Sequence, residues 1–180
     1  MKSSISIVSW TGLALAIGTM LMPASADAAV SARVFRSNPA GLCQGALPAF
    51  ETAIRKRPLA VQNEGASSSF VTCSFTSQGG TSLSATNPTS VLVYFNTISG
   101  TDTEISCTGV TGYVSGTNEF VVKSATAPAS GSQTSMTWNA ADFAGAPANI
   151  PSGMFSISCN LPPGAAINDT RVSFSEEIGT

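Results

Sequence analysis

The chain has 180 residues, of which only 10% are charged; 8 Lys and Arg stand against 10 Asp and Glu, and histidine is absent, so the net charge is -2. That balance excludes a nucleic-acid footprint and an acidic solvating tail, both of which need one sign in excess. The missing histidine excludes Ser-His-Asp catalysis, Cys-His catalysis and His-ligated zinc, and 43% hydrophobic residues exclude a disordered chain.

The first segment reads as an export leader. Lys2 supplies a short positive region, Ile5 to Met22 is apolar with few interruptions, and Pro23-Ala24-Ser25-Ala26-Asp27-Ala28 offers small-x-small cleavage sites. Cleavage after Ala28 is favoured over cleavage after Ala26. The apolar stretch is short for a membrane span and ends in cleavage-type residues. No cysteine follows it closely and no twin arginine precedes it. Residues 1–28 are expected to be a removed signal peptide and 29–180 a single domain, secreted or periplasmic, with no membrane span after signal removal.

Beyond the leader the apolar period is two. Ala32 to Phe35 and Leu59 to Gln62 are strand candidates, with one short helix between Gly41 and Arg57 that Pro48 and Pro58 limit. Arg55-Lys56-Arg57 is too small a cluster for nucleic acid and suits a solvated loop or a strand edge, where charge and proline discourage further pairing. Val71, Cys73 and Phe75 alternate with Thr72, Ser74 and Thr76. In Ser90 to Asn96, the run Val91-Leu92-Val93-Tyr94-Phe95 is apolar on both faces and predicts a central strand. Ile105 and Cys107 alternate with Ser106 and Thr108, and Glu119 to Ser124 and Thr134 to Asn139 follow. Ala140 to Gly153, rich in Ala, Pro and Gly, predicts a long loop. Phe155, Ile157 and Cys159 then alternate with Ser156 and Ser158, and Val172 and Phe174 with Arg171, Ser173 and Ser175. Breakers such as Asn63-Glu64-Gly65, Gln78-Gly79-Gly80, Ser99-Gly100, Ser115-Gly116 and Pro162-Pro163-Gly164 separate these runs. About eight or nine short strands with turn signals between them predict an all-β fold, a single antiparallel β-sandwich of jelly-roll or Ig-like type.

Cys43, Cys73, Cys107 and Cys159 all follow the leader, and an even count in an exported domain reads as a disulfide framework. Each strand cysteine points the same way as its apolar neighbours, into a core where two facing sheets can be cross-linked. Nearest-partner logic pairs Cys43 with Cys73 and Cys107 with Cys159, one of three possible connectivities. The chain-entropy account assigns each bond about 4 kcal/mol at most. Zinc or redox chemistry would need closely spaced cysteines or histidine, and no Cys-x-x-Cys occurs.

Other chemistry is weakly supported. A Ser-Lys arrangement with Lys56 or Lys123 as base is a cheap coincidence in a serine-rich chain. Glu176-Glu177 is an adjacent acid pair, but strand neighbours point to opposite faces and cannot flank one glycosidic bond. Asp102-Thr103-Glu104 and Asn168-Asp169-Thr170 carry calcium-type oxygens yet match no calcium loop and read as turn caps. No cofactor, metal or enzymatic activity is expected. Tyr113 and Trp138 are the candidate binding residues, since an exposed aromatic can stack on sugar, although a lone Trp in a small sandwich more commonly fills the core.

The segment Phe155-Ser156-Ile157-Ser158-Cys159-Asn160-Leu161-Pro162-Pro163-Gly164, with Phe70-Val71-Thr72-Cys73 and Ile105-Ser106-Cys107-Thr108, resembles a pattern in an uncharacterised group of small exported bacterial β-sandwich proteins with a four-cysteine framework and a Cys-x-x-Pro-Pro turn. The resemblance implies a fold and an exported location and transfers no site residue. The expected function is that of an exported non-enzymatic β-sandwich protein binding glycan or cell-surface material, a reading by fold-level analogy. The alternative is a structural or interaction subunit of the bacterial envelope. A small hydrolase is disfavoured by the missing histidine, and an inhibitor of one would need a more rigid loop than Ala140 to Gly153.

Overall fold

Period-two alternation becomes strand throughout the computed structural model, which describes residues 29–76, 87–112, 116–145, 147–151 and 154–178. The predicted leader and Tyr113 lie outside the described residues. The strands are β1 (Ala29–Ser37), β2 (Cys43–Gly45), β3 (Ile54–Arg57), β4 (Ala60–Asn63), β5 (Ser69–Thr76), β6 (Pro88–Thr97), β7 (Thr103–Thr111), β8 (Glu119–Ala127), β9 (Thr134–Asn139), β10 (Met154–Leu161) and β11 (Ala165–Ile178). Among the described residues no helix is long and apolar enough to cross a membrane.

Two antiparallel sheets form. One has the order β3-β4-β11-β6-β9, with β1 also pairing with β11; the other has the order β2-β5-β10-β7-β8. From β4 onward the chain passes from one sheet to the other at every step except the β7–β8 pair. The central strands are therefore 4-11-6-9 in one sheet and 5-10-7-8 in the other, which is a jelly roll rather than an Ig-like sandwich. Strand β11 is long enough to serve two neighbours on one side. Ala166 and Ile167 pair with β4, and Thr170 onward pairs with β1. A register shift against β6 between Ile167 and Asp169 marks a bulge at Asn168.

The core lies between the sheets. Val71, Cys73, Phe75, Ile105, Cys107, Phe155, Ile157 and Cys159 from one inner face meet Val61, Val91, Val93, Phe95, Met136, Trp138, Ile167 and Val172 from the other, all buried. Trp138 belongs to β9 but reaches the opposite sheet, where its indole Nε1–H donates to the Val121 carbonyl at 3.0 Å. Its ring lies against Gly109 of β7: a Cβ there would stand 2.5 Å from Nε1 and 2.6 Å from Cδ1. Phe155 packs 6.0 Å from both Trp138 and Phe75, and Phe143 meets it edge-on at 6.2 Å.

Both disulfides form as nearest partners, Cys43–Cys73 and Cys107–Cys159, but neither joins the two sheets. Cys43 stands opposite Cys73 in the β2–β5 register, and Cys107 stands opposite Cys159 in the β7–β10 register. The expected inter-sheet cross-link is corrected to two cross-strand bonds within one sheet. Directly opposed residues bring their Cβ atoms within bonding reach, whereas packed sheets lie about 10 Å apart.

Three further expectations hold in outline and gain detail. The short helix expected between Gly41 and Arg57 is the single turn at Pro48–Glu51, flanked by strands β2 and β3, with another single turn at Pro39–Leu42; the Glu51 carboxylate accepts from the Gly45 N–H at 2.6 Å and ties the second turn back to β2. The Ala140 loop opens with a 3-10 turn at Ala140–Asp142 and is anchored by the buried side chains of Phe143 and Ile150. Strand β6 is central in its sheet, yet only Val91, Val93 and Phe95 face the core. Leu92 and Tyr94 are half-buried on an outer face that no further layer of the described residues covers.

Replacing Cys107 and Cys159 together by Ala should lower the unfolding free energy by about 2–4 kcal/mol in urea titration. Gly109→Ala should cost about 1–3 kcal/mol through the forced shift of the indole, read as a lower thermal midpoint; an unchanged midpoint would show that Trp138 does not rest on Gly109.

Candidate functional site

Trp138 is 0% exposed and its only polar atom is bonded to backbone. It is corrected from a candidate binding residue to a core residue, because its parity on β9 matches that of Met136, which faces the core. Tyr113 lies outside the described residues.

The charged side chains are mostly committed to holding loops and edges. Asp102 accepts from the Ala129 N–H at 2.8 Å, Glu119 from the Ala144 N–H at 2.7 Å, and Glu176 pairs with Arg33 at 2.7 Å. Lys123 donates to the Thr137 carbonyl at 2.6 Å and pairs with Asp142 at 2.7 Å. Asp142 also accepts from the Asn139 N–H at 2.7 Å. This cluster closes the open edge between β8 and β9, so Lys123 is a clamp and not the free amine that a Ser-Lys mechanism needs. Burial works to raise the Asp142 pKa, but the Lys123 hydrogen bond, the Asn139 N–H and the Lys123 charge outweigh it and hold the carboxyl below the usual aspartate value. Among the described residues no three His, Cys, Asp or Glu side chains cluster as metal ligands.

Two depressions among the described residues are of a size to hold a ligand. One, of about 500 Å³, is lined by Arg57, Gln62, Asn63, Glu64, Gly65, Ile98, Ser99, Pro163 and Gly164. Its polar groups are largely spent on one another. Arg57 pairs with Glu64. Asn63 donates to the Ser67 and Leu161 carbonyls at 2.8 and 2.7 Å and accepts from the Gly65 N–H at 2.9 Å. The Ser99 hydroxyl bonds Thr97 at 2.9 Å and Thr103 at 3.0 Å. This is a junction of turns stabilised internally.

The other, of about 610 Å³, is lined by Arg36, Ser37, Asn38, Leu59, Ala60, Asn96, Gln133, Asn168 and Asp169. It borders the outer face of the β3-β4-β11-β6-β9 sheet. Even-numbered residues of β6 point to that face, which places Tyr94 and Asn96 there. Tyr94 stands in register with Ser135 of β9 and Asp169 of β11. The bulge at Asn168 advances β11 by one residue, so that Asp169 and Arg171 share the Tyr94 face. Arg171 donates from Nε to the Asp169 carboxylate at 3.2 Å, and its guanidinium carbon lies 4.7 Å from the Tyr94 ring centroid, a cation–π contact. Asn38 is fixed by accepting from the Ala40 N–H at 2.9 Å and donating to the Pro58 carbonyl.

The result is a flat, weakly hydrated stack of ring and guanidinium beside a groove rich in amide, carboxylate and guanidinium groups. Such groups hydrogen-bond hydroxyls in both directions. Sequence reasoning missed Tyr94 because it reads as one more apolar residue in Val91-Leu92-Val93-Tyr94-Phe95. The available signal was parity: Tyr94 is out of phase with the aliphatic residues at 91 and 93.

No known protein family matches the chain, and no curated protein is similar to it. Among solved structures it is similar to TmCBM61 in complex with β-1,4-galactotriose, at 10% identity and a TM-score of 0.36, covering 81% of this chain and 88% of that one. It is also similar to a CBM4 structure, at 8% identity and a TM-score of 0.36 over 79% and 86% of the two chains. A third is the family 11 carbohydrate-binding module from Clostridium thermocellum with a β-1,3-1,4-mixed-linked tetrasaccharide, at 13% identity and a TM-score of 0.35 over 88% and 92%. At these values no residue and no ligand transfers to this chain.

The edge clamp makes stability depend on acid. Because the folded state holds Asp142 ionised more readily than the unfolded chain does, its contribution is full above the unfolded pKa and is lost as pH falls through the lower folded value. Thermal midpoints measured below about pH 4 should therefore fall less steeply for Asp142→Asn than for the parent chain. Parallel acid limbs would show that the clamp carries no linkage.

Proposed function

We propose that this is an exported, non-enzymatic β-sandwich protein that binds glycan on the outer face of the sheet containing β6 and β11. The observation that carries the reading is the Tyr94–Arg171–Asp169 set beside the groove of about 610 Å³. A pyranose ring has an apolar CH face and a polar rim. The ring and guanidinium planes suit the first, and Asn96, Gln133, Asn168 and Asp169 suit the second. A face already built from rigid strand residues loses little entropy on binding.

Two buried disulfides support an oxidising compartment, in keeping with residues 1–28 as a removed signal peptide. The binding reading over catalysis is supported by the acids themselves. Glu51, Glu64, Asp102, Glu119, Asp142, Asp169 and Glu176 each accept from a protein donor, which leaves none of them poised as a free general acid or base; among the described acids Glu104 has no such donor, and it is exposed on the outer face of β7.

One observation favours the envelope-subunit alternative. Strand β8 lies at the edge of its sheet and displays Phe120 and Val122, each 66% exposed, the kind of edge that invites a partner strand. A monodisperse monomer at high concentration in sedimentation would remove that support.

Tyr94→Ala should weaken retention in polysaccharide affinity gels by about threefold to tenfold, with near-ultraviolet circular dichroism unchanged. Undiminished retention with an intact fold would show that the glycan, if bound, sits elsewhere.

A further inference from the structure

Two arginines oppose each other across the proposed glycan face. Arg36 of β1 and Arg171 of β11 are register partners, so their side chains leave the sheet on the same side. Like charges placed directly opposite destabilise a strand pair. Arg171 has its own counter-ion in Asp169 and is laid over Tyr94. Arg36 is exposed, has no ion pair among the described residues, and lines the groove. Arg55 adds to the same face: it pairs with Gln62, which pairs with Ala166, which pairs with Asn96. The outer strand rows thus set Arg36, Arg55 and Arg171 against Asp169 and, further along the same β11 row, Glu177, in a chain whose net charge is -2. Arg36 faces a second arginine with no ion pair of its own among the described residues, a cost in strand pairing that is relieved when an anion lies between the opposed guanidinium groups.

We propose that the groove binds a carboxylated glycan, a polyuronate, with a uronate carboxylate held between Arg36 and Arg171. The inference rests on the glycan-binding reading above and specifies its ligand. A guanidinium fork matches the two oxygens of a carboxylate and gives shorter, stronger charge-assisted hydrogen bonds than neutral pairs. The uronate carboxyl is attached directly to the pyranose ring, so one sugar can lie on the Tyr94–Arg171 stack while its carboxylate reaches the arginine pair. A neutral sugar would leave Arg36 without a counter-ion, and a sulfate ester would stand off the ring on an extra oxygen.

The test uses polygalacturonate, its methyl ester, a neutral β-galactan and a sulfated polysaccharide against the leaderless chain with disulfides intact, by calorimetry. Polygalacturonate should bind at least about tenfold more tightly than its methyl ester, which keeps the sugars and removes the charge, and rising salt should weaken it. Arg36→Gln should lose about tenfold in affinity for the free acid while its thermal midpoint stays level or rises, because a like-charge opposition is removed. Arg36→Lys, which keeps the charge without the fork, should fall between the two. Equal binding of acid and ester, wild-type affinity in Arg36→Gln, or preference for the sulfated polymer would overturn the carboxylate assignment. Binding of the neutral galactan alone would overturn it while leaving the glycan reading intact, and binding of none of the four polymers would remove both.

Discussion

The contact between the Trp138 indole and Gly109 sets the relation of the two sheets. A single side chain from β9 crosses the core, lies on bare backbone of β7 and donates its N–H to the Val121 carbonyl of β8. It thereby fills the space over three strands of the opposite sheet and satisfies its polar atom without water, which a buried indole requires. Phe155, Phe75 and Phe143 pack onto the same point. On the solvent side the Lys123–Asp142 pair and the Glu119 carboxylate close the edge that the indole brings together. The pair is only partly shielded from water and its worth is modest; its service is to seal the seam over the aromatic cluster.

The two sheets have different parts to play. The β2-β5-β10-β7-β8 sheet holds both disulfides, each between directly opposed residues, and shows solvent a hydroxyl-rich outer face through Thr72, Ser106, Thr108, Ser156 and Ser158. The other sheet has no covalent tie and carries Tyr94, Arg36, Arg171 and Asp169 on its outer face. The back also exposes Phe120 and Val122 at its β8 edge, and the charged front takes its rigidity from the back through the shared core.

Several local rules are broken at the front. A bulge interrupts β11 at Asn168, an aromatic sits on an uncovered face, and two arginines stand opposite each other. Each costs pairing or solvation that a purely structural sheet has no reason to bear. The bulge is the hinge of the arrangement, because without it Asp169 and Arg171 would point into the core.

Local pattern in the sequence was enough to find β1 and the strands from β4 onward, the inward direction of Cys73, Cys107 and Cys159, and the all-β class, because alternation of polar and apolar residues is a local property of extended chain. It left β3 open between a loop and a strand edge, since Arg55-Lys56-Arg57 has no alternation to read, and it mistook the direction of the sulfur bridges. Parity along a strand says which residues share a face; it does not say which strand lies alongside or what covers the far side. Only the tertiary structure decided that Trp138 is core and Tyr94 is surface, that the cysteines bridge neighbours in one sheet, and that Arg36 and Arg171, near opposite ends of the domain, face each other. Those facts depend on register between segments distant in the chain, which is set by the joint packing of both sheets and not by any short stretch of sequence.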